Sequence, residues 1–251
     1  MNPELILYII VLVFGIVIGS FLNVCIYRIP KKENIVSTRS HCMACGYQLK
    51  WYDLVPLLSY ILLGGKCRKC KTKLSLQYPI IEAANGLLYV LVFLVNGWKM
   101  ESILYCLLFS ALLVLSVIDF RTFEIPLGIN LFILTLGLVH LALDYQNFLQ
   151  YGIGLLSVSI FLYVIYLATK GRGIGGGDIK LMAASGLLLG YQLNLLAFAL
   201  GCILGAVIHV IRMRVTRADH VLAMGPYLAL GIALAVLWGN RLIEWYVNCM
   251  L

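Results

Sequence analysis

Residues 102–119 read SILYCLLFSALLVLSVID, an apolar run with no charge until its last residue, Asp119. A run of this kind approaches the ~20 apolar residues that cross a ~30 Å hydrocarbon core as an α-helix. Similar stretches recur throughout the 251 residues, which are 62% hydrophobic and 12% charged, with a mean hydropathy of +0.97. That balance excludes a water-soluble domain. The chain reads as an all-α polytopic membrane protein of about eight transmembrane helices.

Working outward from this run, the spacing predicts a first span from about Glu4 through Ile26, followed by a long polar loop over 28–78. Further spans are expected at 79–95, 102–118, 126–143, 148–168, 179–190, 192–211 and 221–238. The sixth, 179–190, is short for a crossing and reads as thinned or partly re-entrant. Three blocks result: the first helix (1–27), the polar loop (28–78) and a membrane-embedded core of about seven helices (79–251). The first run lacks a basic leader and is followed by Arg28, Lys31 and Lys32, the pattern of a signal anchor rather than a cleaved signal peptide.

The net charge of +8 is compatible by itself with nucleic-acid binding, but its placement records topology. Of the 19 Lys and Arg residues, 10 fall between Arg28 and Lys73. Others cluster in later gaps: Arg121, then Lys170, Arg172 and Lys180, then Arg212, Arg214 and Arg217. By the positive-inside rule these gaps face the cytoplasm and the amino terminus lies outside. No nucleic-acid partner is implied; the expected surroundings are membrane lipid.

Within the polar loop, Cys42 and Cys45 are followed by Cys67 and Cys70, a CxxC…CxxC pair. Two such turns can direct four thiolates at one centre, the ligand set of a structural zinc. The competing reading is a set of free or disulfide-bonded thiols, which a reducing cytoplasm disfavours. His41 adjoins the first thiol but is not needed once four cysteines complete the site. Cys25, Cys106, Cys202 and Cys249 sit in or beside apolar stretches and read as small hydrophobic residues.

Two aspartates flank spans on the cytoplasmic side of this topology. Asp119 ends the third, and Asp178 begins the sixth after Gly175, Gly176 and Gly177. An acidic residue at the centre of an inserted helix costs roughly 2.5–3.5 kcal/mol, and less near its ends. Two carboxylates brought together cannot both ionise easily, so one serves as acid and the other as base. Glycines before Asp178 would let the backbone approach a substrate strand closely. The bland alternative is that Asp178 caps a helix and Asp119 pairs with Arg121 or faces solvent. Ion coordination in a transporter is a third reading, weakened by the lack of mid-span acids other than Glu82. Spacing alone leaves these open.

Around these residues the chain resembles the type IV prepilin peptidases, membrane aspartic proteases of the GxGD type. The likeness runs from about Gly15 to Gly231. It includes GSFLNVCIYRIP at 19–30, the cysteine loop with Trp51, Pro56, Ser59 and Tyr60, then Tyr78, Pro79 and Glu82. It continues with IDFRTFEIP at 118–126, GGGDIK at 175–180 and MGPYLALG at 224–231.

The resemblance implies a bacterial cytoplasmic-membrane enzyme that removes the short basic leader of type IV prepilins or pseudopilins. Cleavage would follow a glycine, just before the apolar helix of the pilin, with Asp119 and Asp178 as the catalytic pair. It points to a pilus, type II secretion or competence system. It also implies, for forms carrying the cysteine loop, N-methylation of the new amino terminus with S-adenosylmethionine as donor. No GxGxxG fingerprint marks a nucleotide site. Glu82, with Asn23 and Asn85, is the expected polar set for that second activity; an interhelical or capping role for Glu82 is its competitor. The alternatives are a peptidase without methyltransferase activity, and a non-enzymatic zinc-binding scaffold or transporter.

Overall fold

The computed structural model describes residues 3–216 and 222–250, apart from the side chain of Thr216. The chain divides into two compact units, residues 1–97 and 98–251. Among the described residues the architecture is all-α, with two isolated β-bridges and no longer strand.

In the first unit, α1 (Pro3–Arg28) packs against α3 (Gln77–Asn96), and the cysteine loop joins them through the short α2 (Leu58–Leu62). The two long helices approach closely at Gly19, where a Cβ would stand 2.7 Å from the Cα of Glu82. Fully buried Asn85 donates its amide to Gly15 O at 2.7 Å. An interhelical hydrogen bond of this kind holds helices together where lipid supplies no hydrophobic drive for their association. Leu5, Ile9, Val13 and Val17 recur every fourth residue of α1 and remain exposed, as a lipid-facing side requires. At its far end Arg28 is buried. Its guanidinium donates to Thr38 O (2.9 Å) and Asn34 O (3.2 Å), tying the loop to the helix that leads into it.

The second unit holds α4 (Met100–Thr122), α5 (Leu127–Leu143), α6 (Phe148–Ala168), α7 (Gly176–Leu189), α8 (Tyr191–Thr216) and α9 (Gly225–Met250). The eight expected crossings correspond to α1 and α3–α9. Six of these are long and apolar enough to cross a membrane, whereas α5 has 17 residues and α7 only 14. The shortness of α7 follows from its position. It contacts α5, α6, α8 and α9, and Leu181, Met182, Ser185 and Leu188 are fully buried. A helix enclosed by protein need not match the bilayer, because its ends are not exposed to lipid.

A polar knot ties α6, α7 and α8 together. Asn194 donates to Gly154 O and Met182 O, both at 3.1 Å, and Ser185 donates to Asn194 Oδ1 at 3.2 Å. Here the backbones nearly touch: a Cβ on Gly186 would lie 2.1 Å from Gly154 O.

Several helices outrun the expected spans, α4 among them by reaching Thr122. The last, predicted to end at Trp238, continues to Met250, and α8 passes Ile211 to reach Thr216. Gly239, just past the expected end, lies within the helix and serves a close contact: a Cβ there would meet Leu193 Cδ2 at 2.5 Å. The expected start of the last span at Val221, and Arg217 with the rest of 217–220, lie outside the described residues.

Gly186→Ala is expected to destabilise the protein by about 1–3 kcal/mol, the usual penalty for overpacking a tight contact. Gly152→Ala is the control, because open space surrounds that position on the neighbouring helix. Unfolding in detergent checks both; equal stability of the two variants would rule out the close α6–α7 contact.

Candidate active site

Both carboxylates predicted from sequence lie within the second unit. Asp119 lies in the last turn of α4, which ends where Phe123 adopts the left-handed conformation (φ 55°) and returns its N–H to Asp119 O at 2.8 Å. The side chain is buried. Its Oδ2 accepts a 2.9 Å hydrogen bond from the N–H of Gly225, the first residue of α9. The first N–H groups of a helix have no partner within it and carry partial positive charge, so they suit a carboxylate. A side chain at 225 would collide with this arrangement, since a Cβ would stand 2.7 Å from Asp119 Oδ2.

Asp178 lies in the first turn of α7. Gly175, not Asp178, is the N-cap. The Asp178 carboxyl reaches back from the first turn to accept the Gly175 N–H, so one part of it serves the helix start. Its Oδ1 is buried and has no hydrogen-bond partner, and its carboxyl is close enough to Asp119 to feel that charge. An unpaired buried oxygen of this kind is costly unless a proton, water or ligand meets it.

The turn before Asp178 is held from two sides. Gly177 presses on Ile125, where a Cβ would lie 2.8 Å from the isoleucine Cβ. From α5, Asn130 donates its amide to Gly177 O at 3.2 Å, and the residue is itself buried. Asp178 opens onto a cavity of about 500 Å³. Gly173, Ile174 and Gly175 line one part of it, and Leu162, Phe198 and Leu228 contribute apolar wall. Asp119 is not among the lining residues; it joins the site through its proximity to Asp178 and its bond to Gly225.

The sequence pattern does not single out Asn130, and it presents Gly225 only within a motif. An amide inside an otherwise apolar helix was the available signal for Asn130. Nothing local marks Gly225, whose role exists only once α9 has been placed against α4.

In the first unit the four expected cysteines converge. Their sulfurs all lie within 4.8 Å of one another, and Cys42 Sγ is 3.8 Å from Cys70 Sγ. Four sulfurs at the 2.3 Å zinc–sulfur distance of a tetrahedral site would be spaced by about 3.8 Å. The two turns share one backbone design. Cys42 N–H bonds Tyr47 O and Gly46 N–H bonds Cys42 O; Cys67 N–H bonds Thr72 O and Lys71 N–H bonds Cys67 O. The residue after the second cysteine of each turn has positive φ, Gly46 at 67° and Lys71 at 60°. Hydrogen bonds from the Thr72 hydroxyl and N–H lower the Cys70 thiol to about 6, so it is ready to act as thiolate. His41 is exposed, as expected, and is not part of the cluster.

Outside the cluster, Arg68 bridges to buried Asp53 at 2.7 Å, and Asp53 also accepts from the N–H of Lys50. The three residues expected to serve a second activity separate. Glu82 and Asn23 line a cavity of about 410 Å³ between the α1 and α3 ends and the cysteine loop. Asn85 does not line it; its amide faces α1. Glu82 is 6% exposed, and its Oε2 accepts the Leu57 N–H at 2.8 Å.

Two family models match the chain in succession. The bacterial Peptidase A24 N-terminal domain covers residues 13–96, and the type IV leader peptidase family covers residues 106–210. A Pseudomonas aeruginosa protein named prepilin leader peptidase/N-methyltransferase is 32% identical, over 94% of this chain and 92% of its own length. Proteins of the same name from Aeromonas salmonicida and Bacillus subtilis are 32% and 31% identical, each over 96% of this chain. They are covered over 94% and 98% of their own lengths. No solved structure matches significantly. With both halves matched in order and relatives about 32% identical over nearly the whole chain, the chain belongs to the type IV leader peptidase family.

Proposed function

We propose that this protein removes the basic leader from type IV prepilins or pseudopilins with Asp119 and Asp178, and then N-methylates the new amino terminus. The observation that carries the peptidase reading is Asp178, which borders a cavity with one buried oxygen unpaired and has the charge of Asp119 near it. One carboxylate removes a proton from water as the water oxygen attacks the scissile carbonyl; the other protonates the departing amine as the C–N bond breaks. The proton count balances over the pair, which titrates as a unit. Gly175, Gly176 and Gly177 keep the turn narrow enough for substrate backbone to approach. The apolar wall suits the start of a pilin's membrane helix.

Positive-inside topology supports a bacterial cytoplasmic membrane, an amino terminus outside and the aspartates at the cytoplasmic rim. That is where a leader meets its membrane helix. Such a substrate belongs to a pilus, secretion or competence system. The helices from 98 onward would then be the protease core.

For the second activity the methyl donor is S-adenosylmethionine, as the names of the similar proteins suggest for those proteins. It supplies a methyl group on a positively charged sulfur: the neutral amine's lone pair forms the N–C bond, and the C–S electron pair returns to sulfur. Glu82 and Asn23 are assigned to this activity. Asn85 supports them by holding α3 against α1. The four cysteines hold structural zinc, which would order a loop that has little apolar core of its own.

Asp119→Asn and Asp178→Asn should each abolish prepilin cleavage, a loss of at least about a hundredfold given what general acid–base groups contribute, while the protein still inserts. Retained processing by either variant rejects the aspartate mechanism. The same wild-type reaction with methyl-labelled S-adenosylmethionine should label the mature pilin; unlabelled product rejects methylation.

Cys42→Ser and Cys70→Ser should each lose stoichiometric zinc and lower the melting temperature. Wild-type protein purified without chelator and free of metal would reject the zinc site.

Asn130→Ala should lower kcat several-fold with little change in KM, because Asn130 positions the turn rather than touching substrate. Asn130→Asp would not restore it, since an ionised carboxylate cannot donate to Gly177 O. An unchanged kcat in Asn130→Ala would exclude this role.

A further inference from the structure

The 410 Å³ cavity of the first unit has the size of a small-molecule site, a class whose volumes run from roughly 300 to 1,000 Å³. Its walls come from two helices and both cysteine turns: Ser20 and Asn23 on α1, Glu82 on α3, and Cys42 and Cys67 in the loop. Tyr27 and Tyr60 add aromatic surface, and Lys66 and Lys73 add positive charge. The cavity is therefore mostly apolar in surface, with residues such as Leu49, Leu63 and Leu74 in its wall, and is set with charged and polar groups of both signs.

Its charges are not equally available. Arg28 is committed to loop carbonyls, and Asp53 to Arg68. Glu33 is exposed to solvent. Glu82 differs from all of them. It is buried, receives only the Leu57 N–H and the Ser20 hydroxyl, and has no cationic partner among the described residues. A buried carboxylate held by neutral donors alone carries a desolvation cost that a cation would offset.

We propose that this cavity is the methyl-donor pocket, and that Glu82 faces the positively charged sulfonium end of S-adenosylmethionine. The inference rests on the methyltransferase reading above and goes beyond it by giving the donor a site. The tyrosines supply faces for the adenine ring, and the lysines supply charge for the donor's own carboxylate. Because both cysteine turns form the wall, the loop builds the pocket as well as binding metal. This accounts for Ser20, Asn23, Tyr27, Tyr60 and Glu82 gathering around one space although they come from segments far apart in sequence.

The test is direct binding to the full-length protein in detergent, with zinc content and melting temperature confirming that each variant is folded. Wild type should bind labelled S-adenosylmethionine in equilibrium dialysis. Glu82→Gln should weaken that binding at least about tenfold, as loss of one charge-assisted contact does, yet weaken S-adenosylhomocysteine, which lacks the sulfonium charge, much less. Equal weakening of both ligands would show a merely structural glutamate and overturn the assignment of Glu82. Ser59→Phe, which adds bulk to the cavity from α2, should weaken both ligands alike. Photo-crosslinking of the bound donor should label peptides within 20–82. Wild-type binding and methylation that neither variant alters, with crosslinks confined to 98–251, would overturn the pocket while the methyltransferase reading stands. Wild type that neither binds the donor nor labels pilin would remove both.

Discussion

The second unit is organised around one hydrogen bond, from the N–H of Gly225 to the carboxylate of Asp119. Taking a carboxylate out of water costs several kcal/mol, and the start of a helix is one of few places that can offset it without a cation. A lysine or arginine partner would stabilise Asp119 more strongly but would also hold it as a permanent anion. A backbone N–H leaves its carboxyl able to take up or release a proton. The bond also fixes where α9 begins relative to the end of α4, and requires glycine at 225 because any side chain would occupy the carboxylate's place.

The second aspartate is placed by a different device. α7 is short and enclosed, so its first turn lies within the protein rather than at a lipid-exposed end. The polar knot of Ser185, Asn194 and Gly154 anchors its far half, and Asn130 holds its entry. Asp178 is thus carried on a rigid element, while the glycine turn ahead of it borders the cavity. Rigid carriage with a narrow entrance is what acid–base chemistry on a peptide strand demands, because reacting groups must be held within a few tenths of an ångström.

The first unit solves a separate problem. A polar loop between two membrane helices has little apolar core to order it, and its four cysteine sulfurs lie within 4.8 Å of one another, close enough to share one metal ion. The buried Arg28 and the Asp53–Arg68 bridge extend that order to the helix ends. One consequence is a cavity walled by elements that would otherwise have no fixed relation. Each family model falls within one unit, 13–96 in the first and 106–210 in the second, so the division in packing is also a division between matched families.

Much of this was legible in the residues themselves. Hydropathy marked the six helices long and apolar enough to cross a membrane, because crossing lipid demands uninterrupted apolar runs whatever the fold; it counted the shorter α5 and the enclosed α7 as crossings too. CxxC spacing marked the four cysteines that cluster, because a tight turn presents both thiols on one side irrespective of what surrounds it. The motifs around Asp119 and Asp178 marked the two carboxylates. What the residues could not declare was every encounter between distant segments. Asp119 and Asp178 stand 59 positions apart, and Gly225 is further still from Asp119. Asn130, the enclosure of α7, the continuation of α9 past Gly239 and the cavity beside Glu82 likewise depend on which helix packs on which. Local patterns report a segment's solvent and its turns; they carry no record of its neighbours. Only the packed helices decided those, since close backbone contact and shared hydrogen bonds arise between surfaces that the chain brings together after each helix has formed.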